Sequence, residues 1–230
     1  MDTSLQFLGH NAWLLTVDNY RILVDPFLTG NPKAAISAKD VGNIDYIFVS
    51  HGHGDHLGDT IELSKTTGAT VVTVVEIAGW LRKHGVQELE GMNLGGGKEF
   101  PFGRVQLTPA LHTSSLPDGS YGGEPCGFLF LLKDGKNLYF ACDTGFFGDM
   151  GLLADYELDV ACLPIGDYYT MGPKEALDAV GYLEPKLAIP CHYSTWEVIE
   201  QDAEQWKTIV ESETETKVVI LEPGDYVQVE

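Results

Sequence analysis

Basic side chains are scarce in this chain: 14 Lys and Arg stand against 34 Asp and Glu, a formal net charge of −20. A surface this negative repels polyphosphate backbones, so nucleic acid is excluded as an expected partner. Apolar runs long enough to cross a bilayer are also missing, and no membrane partner is expected. The start, Met1-Asp2-Thr3-Ser4, lacks the basic segment and apolar stretch of a secretory signal, which points to a cytoplasmic protein. Cysteine is sparse. Cys126, Cys142, Cys162 and Cys191 stand singly in strand-like segments with no Cys-x-x-Cys pair, which excludes a disulfide framework or zinc ribbon. They are expected to be reduced, buried and small-hydrophobic in role. Linkers rich in Pro and Ser and low-complexity stretches are lacking, so one domain over 1–230 is expected. Gly95-Gly96-Gly97 has no Lys-Ser/Thr after it and is not a phosphate-cradling loop.

What remains is an ordinary hydrophobic share of 44%, enough for a sizeable core. The opening reads as a meander over Leu5 to Leu8, Ala12 to Val17 and Arg21 to Val24, with a turn at Asp18-Asn19. Phe27 to Lys39 reads as loop and Ile44 to Val49 as a buried strand; Asp59 is expected to cap a helix to about Thr67. A strand over Thr70 to Val75, a helix from about Glu76 to His84 and a strand over Val105 to Ala110 follow. Phe128 to Leu132 and Asn137 to Cys142 form a hairpin around Asp134-Gly135. The rest reads as strands at Asp159 to Pro164 and Leu187 to Ile189, helices at Pro173 to Leu183 and about Glu200 to Ser212, and closing strands at Val218 to Leu221 and Tyr226 to Val229. Strand-rich openings with interspersed helices favour an α/β protein of two packed sheets with helices on the outer faces.

Histidine is not abundant either, seven in 230 residues, yet five gather where chemistry is done. His51-Gly52-His53-Gly54-Asp55-His56 places three imidazoles and a carboxylate in one short loop behind a strand, and these are standard ligands for a divalent first-row metal. His112, Asp143 and His192 each follow another apolar run. A rim of rigid strand ends carrying variable loops is where functional groups collect. His84, near a helix end, reads as a surface residue.

The ordered set His-x-His-x-Asp-His, His, Asp, His resembles the metallo-β-lactamase superfamily of binuclear hydrolases. His51 to Asp59 is similar to the small metal-dependent hydrolases related to ascorbate-6-phosphate lactonase, a branch that includes N-acylphosphatidylethanolamine phospholipase D-like enzymes. Leu8-Gly9-His10, Asp25 to Pro32, Asp143-Thr144-Gly145, Ile165-Gly166-Asp167 and Thr170 to Pro173 match as well. The resemblance implies a four-layer αββα sandwich. It also implies one metal on His51, His53 and His112, a second on Asp55, His56 and His192, and Asp143 bridging them. Zinc or manganese is expected first, with nickel or iron compatible. Two cations roughly 3.5–4 Å apart would activate a bridging hydroxide to cleave an ester-like bond (lactone, phosphodiester or related) of a small-molecule substrate.

Asp55 is a candidate proton acceptor, and His10 a candidate substrate-facing residue. Asp25 and Asp167 are candidates for orienting ligand imidazoles through their second nitrogen. The Phe27 to Lys39 loop, the Leu116 to Glu124 loop with Tyr121, and Tyr168-Tyr169 are expected to border the cleft. Two departures from the family pattern stand out: Cys142 where Gly is usual, its sulfur expected to point away from the metals by strand alternation, and Ser194 after Tyr193. Two other readings remain open, a di-iron redox protein and a non-catalytic metal-binding partner module; self-association into a homo-oligomer is also open.

Overall fold

The computed structural model describes residues 2–230. The first sheet contains β1 (Thr3–Gly9), β2 (Ala12–Val17), β3 (Tyr20–Val24), β4 (Tyr46–Phe48), β5 (Thr70–Val74) and β6 (Leu89–Met92), side by side in that order. The second contains β7 (Gly97–Phe100), β8 (Gly103–Pro109), β9 (Cys126–Leu132), β10 (Asn137–Phe140), β11 (Val160–Pro164), β12 (Leu187–Cys191) and β13 (Lys217–Val218). The last strand, β14 (Tyr226–Gln228), returns to pair antiparallel with β1. Each sheet follows one plan. An antiparallel meander, β1 to β3 or β7 to β10, passes into parallel strands, β3 to β6 or β10 to β13.

Period-two alternation explains how the sheets stack. Phe128 and Phe130 on β9 and Phe140 on β10 face the core shared between the sheets, while Leu129 and Tyr139 face the opposite side. Phe48 of β4 meets Phe128 and Phe130 across the gap at 5.3 and 5.0 Å between ring centroids, and Trp13 of β2 meets Phe140 at 6.1 Å. Each such pair adds about 0.5–1.5 kcal/mol beyond area burial. The outer face of the second sheet is covered by α4 (Pro173–Leu183) and α5 (Ala203–Glu213) through Ala176, Ala179, Val180, Trp206 and Val210. The short α1 (Gly54–Leu57) carries Asp55 and His56, and on the first sheet's side α2 (Thr60–Thr67) and α3 (Val75–Lys83) bury Leu63, Ile77 and Leu81. The result is the α/β metallo-β-lactamase-type sandwich that the resemblance implied. No helix among the described residues is long and apolar enough to cross a membrane.

Several local expectations are corrected. β6 and β7, Leu-Glu-Gly-Met and Gly-Lys-Glu-Phe, escape a reading by apolar alternation because each carries a glycine and charge, one charged residue in β6 and two in β7. The strand expected over Val218 to Leu221 is only Lys217–Val218. The last helix starts at Ala203, where Asp202 accepts the Gln205 N–H at 2.9 Å and caps it. Asp59 is the N-cap residue of α2, as expected, but its side chain makes no bond to the helix. Its carboxylate instead accepts the N–H groups of Leu28 and Thr29 at 3.0 and 2.8 Å, tying the loop after Pro26 to the histidine loop.

Candidate metal centre

Strand-to-loop junctions carrying His10, Asp25, His51, His112, Asp143 and His192 open at one rim, and sharp turns follow several strands. His10, Asp25, Cys142, Asp167 and His192 each lie just beyond a strand in the left-handed region, with φ of +63°, +46°, +52°, +68° and +51°. Such residues cost about 1–3 kcal/mol each and persist where the surroundings hold them. Hydrogen bonds provide that hold. The Gly52 N–H donates to Ser114 Oγ at 3.1 Å, and Leu111 and Gly145 exchange a bridge, so the loops carrying His51, His112 and Asp143 are stitched together. The His192 N–H donates to the His10 carbonyl at 2.8 Å, joining the two sheets at the rim.

The potential ligand atoms form three groups among the described residues: His51, His53 and His112; His10, Asp55, His56 and His192; and His51, His56 and Asp143. In the first, His53 Nδ1 lies 2.9 Å from His51 Nε2 and 3.3 Å from His112 Nε2. Asp143 Oδ2 lies 3.1 Å from His192 Nε2, 3.2 Å from His56 Nε2, 3.4 Å from His112 Nε2 and 3.9 Å from His51 Nε2. It is thus within reach of both halves of the site.

The proton inventory tests whether cations fit. Asp25 Oδ2 accepts the His56 Nδ1–H at 2.8 Å and the Ser50 hydroxyl at 2.6 Å, and Asp25 Oδ1 accepts the Ser50 N–H at 2.8 Å. With its proton given to Asp25, Ser50 Oγ accepts from His51 Nδ1 at 2.9 Å. Both Nδ1 atoms are thus engaged away from the centre, which leaves each ring's Nε2 directed into it. His56 Nε2, Asp143 Oδ1 and both ring nitrogens of His192 are buried without a hydrogen-bond partner; His192 Nε2 is near Asp143 but not aligned with it. Buried polar atoms crowded together without partners are costly alone, and cations relieve them. Ligand atoms about 2.0–2.1 Å from a common ion sit at separations of this order. The donor set, imidazole and carboxylate without thiolate, suits divalent first-row metals.

The electrostatics follow burial and neighbours. Burial lowers His51 well below its ordinary value, and lowers His53 and His112 as well. Burial acts the same way on His56, but the Asp143 and Asp25 carboxylates override it and hold that ring well above the usual range. Burial would raise Asp143, yet His192 and His56 pull it well below the normal carboxylate value. For His10, burial with His192 alongside brings the ring down to about 4. Asp55 is lowered in spite of burial by its bond to His10.

Other candidates are placed differently from expectation. His10 does not line the cleft. It is buried, with Nε2 on Asp55 Oδ2 at 3.2 Å and Nδ1 on Thr195 Oγ1 at 2.8 Å, so it stands behind Asp55. Asp167 is exposed and its carboxylate meets no ligand imidazole; it is a turn residue whose N–H donates to the Met171 carbonyl. Of the segments expected to border the cleft, Tyr169 lines it; Tyr121 instead bonds Glu124. Cys142 lies past the end of β10, so strand alternation does not apply to it. It is nonetheless buried in the inter-sheet core, with Sγ directed at the Phe140 carbonyl. Ser50, Thr195 and Trp196 take part in the site without a sequence signal beyond nearness to His51 and His192.

A cavity of about 590 Å³ opens over this centre, floored by His53, Asp55, His112, Asp143 and His192. Sheets, helices and rim together define a metallo-β-lactamase-type fold built round clustered metal-ligand side chains. The family model described as a beta-lactamase superfamily domain matches residues 20–193. A UPF0173 metal-dependent hydrolase of Desulforamulus reducens is 48% identical over 230 residues, covering 98% of this chain and 99% of its own. A relative of the same description from Pelotomaculum thermopropionicum is 47% identical over 224 residues, covering 95% and 96%. The solved structure of Igni18, a metallo hydrolase of Ignicoccus hospitalis, superposes with a TM-score of 0.92 at 36% identity over 100% of this chain and 99% of its own. The chain belongs to the metallo-β-lactamase superfamily, among its UPF0173 metal-dependent hydrolases.

Proposed function

We propose that the protein carries two divalent metal ions, zinc or manganese before nickel or iron, and hydrolyses an ester-like bond of a small molecule. The observation that carries this reading is Asp143. Its Oδ2 lies 3.1–3.4 Å from nitrogens of His56, His112 and His192, which belong to both ligand groups. His51, His53 and His112 would hold one ion, Asp55, His56 and His192 the other, and Asp143 would serve both. Such a pair supplies water acidified towards neutral pH and a Lewis acid for charge on the reacting oxygens.

The chain's own groups do the rest. Asp25 and Ser50 engage Nδ1 of His56 and His51, so both rings turn Nε2 to the centre, where an ion would take the place of the second proton that Asp143 and Asp25 favour on His56. His10 donates to Asp55 and holds it ionised at the cleft floor, where it is the more open of the two carboxylates and the candidate proton acceptor. Elemental analysis together with turnover of lactones, phosphodiesters and acyl esters tests the reading. Two metal equivalents and hydrolysis are expected, abolished in Asp143→Ala and His192→Ala. Undiminished turnover in both variants rejects the assigned roles.

A further inference from the structure

Resting on that hydrolase reading, we propose that the cleft selects substrates whose group beside the scissile bond is apolar and uncharged, and that Trp196, Tyr169 and Val198 set this selectivity. The floor of the cavity is polar and its wall is not. Trp196, Tyr169 and Val198 line it while remaining 37%, 51% and 47% exposed, and Thr113 adds one hydroxyl. Large apolar side chains left open beside a site of metal-ligand residues gain by being covered when a ligand enters.

The wall is preset. Trp196 packs edge-on to His10 at 4.8 Å between centroids and against Phe27 at 6.3 Å, and Tyr169 packs edge-on to Tyr168 at 4.8 Å. The same loop that delivers His192 delivers Trp196 and Val198. It is closed by the Ser194 N–H donating to the Ile199 carbonyl at 2.7 Å. Binding an apolar group here therefore costs little ordering of the protein.

Charge points the same way. Among the described residues, no Lys or Arg lines the cavity. Lys33 lies in a neighbouring depression that Trp196 also borders, and Glu197 and Glu200 share it. Two divalent cations would be offset by Asp55, Asp143 and the buried Asp25, and what charge remains sits at the bond being cut. A substrate with a carboxylate or phosphate away from that bond finds no cation to replace its lost hydration, in a protein of net charge −20. Sugar phosphates belong to this disfavoured class. Uncharged lactones and acyl esters with aromatic or branched apolar groups belong to the favoured one.

The test compares 4-nitrophenyl butyrate with 4-nitrophenyl hemisuccinate, which share a leaving group and differ by a remote carboxylate. With metal-loaded protein, and with uncatalysed release subtracted because the hemisuccinate's own carboxylate expels 4-nitrophenolate unaided, kcat/KM is expected to favour the butyrate by tenfold or more. Trp196→Ala should lose about tenfold on the butyrate, mainly through KM, and little on the hemisuccinate. Val198→Lys should raise the hemisuccinate rate severalfold, which a merely structural wall residue would not do. Calorimetric binding of the two matching 4-nitroanilides is read separately. Preferred binding of the uncharged anilide without ester turnover supports the selectivity and overturns the reaction class. Ester turnover with no preference, a preference for the hemisuccinate, or binding of neither anilide overturns the selectivity.

Discussion

Asp25 and His56 are joined by a direct 2.8 Å hydrogen bond from Nδ1 to Oδ2, both side chains fully buried. The same Asp25 oxygen takes the Ser50 hydroxyl, which in turn holds His51. One carboxylate thus sets the tautomer of a histidine in each proposed metal position. This wiring lives in packing and proton placement rather than in the ligand list.

Weakening it should weaken both positions together. Asp25→Asn is expected to lower metal affinity about 10–100-fold, because an amide can present N–H to His56 Nδ1 and disfavour the needed tautomer. Ser50→Ala removes the relay to His51 and one donor to Asp25 but leaves the Asp25–His56 bond, and should weaken chiefly the position that includes His53 and His112. Competition with a chromogenic chelator measures both, and an unchanged affinity in Asp25→Asn would contradict the arrangement.

His10 makes a parallel prediction. Its ring is neutral near pH 7, since burial holds it at about 4, and with Asp55 ionised its proton lies on Nε2. His10→Phe preserves the ring packing but leaves Asp55 Oδ2 without a donor. Affinity for the ion proposed at Asp55, His56 and His192 should fall about tenfold. Thr195→Val touches only the far nitrogen and should do less. Chelator titration resolves the order of the two effects; Thr195→Val exceeding His10→Phe would reverse it.

Metal should also act on stability. Buried nitrogens and oxygens that lack partners in the metal-free chain gain them on binding. Metal at a thousandfold above its dissociation constant should add about 4 kcal/mol, seen as a rise in Tm. In Asp143→Ala the gain should shrink sharply, since the residue common to both groups is gone. Scanning calorimetry of stripped and reloaded protein gives the answer; an equal Tm rise in the variant would count against a shared ligand.

The layer plan was legible because β9, β10 and β11 bury both faces and read as apolar runs, and because α4 carries Pro at its start. The histidine cluster was legible because His51 to His56 is contiguous. What stayed hidden depends on long-range placement. His10 and Thr195 are separated by 185 residues and meet only once the two sheets close at the rim. Asp167 shares with Asp25 its place after a strand, yet its turn leaves the carboxylate exposed while Asp25 points inward. No local pattern separates the two.

Gly166 shows how backbone spacing supports the site. A Cβ added there would lie 2.2 Å from the His192 carbonyl oxygen, a backbone atom that cannot swing aside. The neighbouring strands are locked, since the Ile165 N–H donates to the Cys191 carbonyl at 3.1 Å, so strain from a methyl group falls on the His192 loop. That loop also carries Thr195 and Trp196, which pack on His10. Gly166→Ala is therefore expected to cost roughly 2–4 kcal/mol in urea unfolding and to release the ion proposed at His192 before the one at His53. Gly181→Ala is the control: it lies in α4 with nothing within 4 Å of the added carbon, and should be neutral or stabilising by about 0.5–1 kcal/mol. If metal retention after dialysis against chelator is the same in Gly166→Ala as in the unaltered protein, the close approach at His192 does not govern the site.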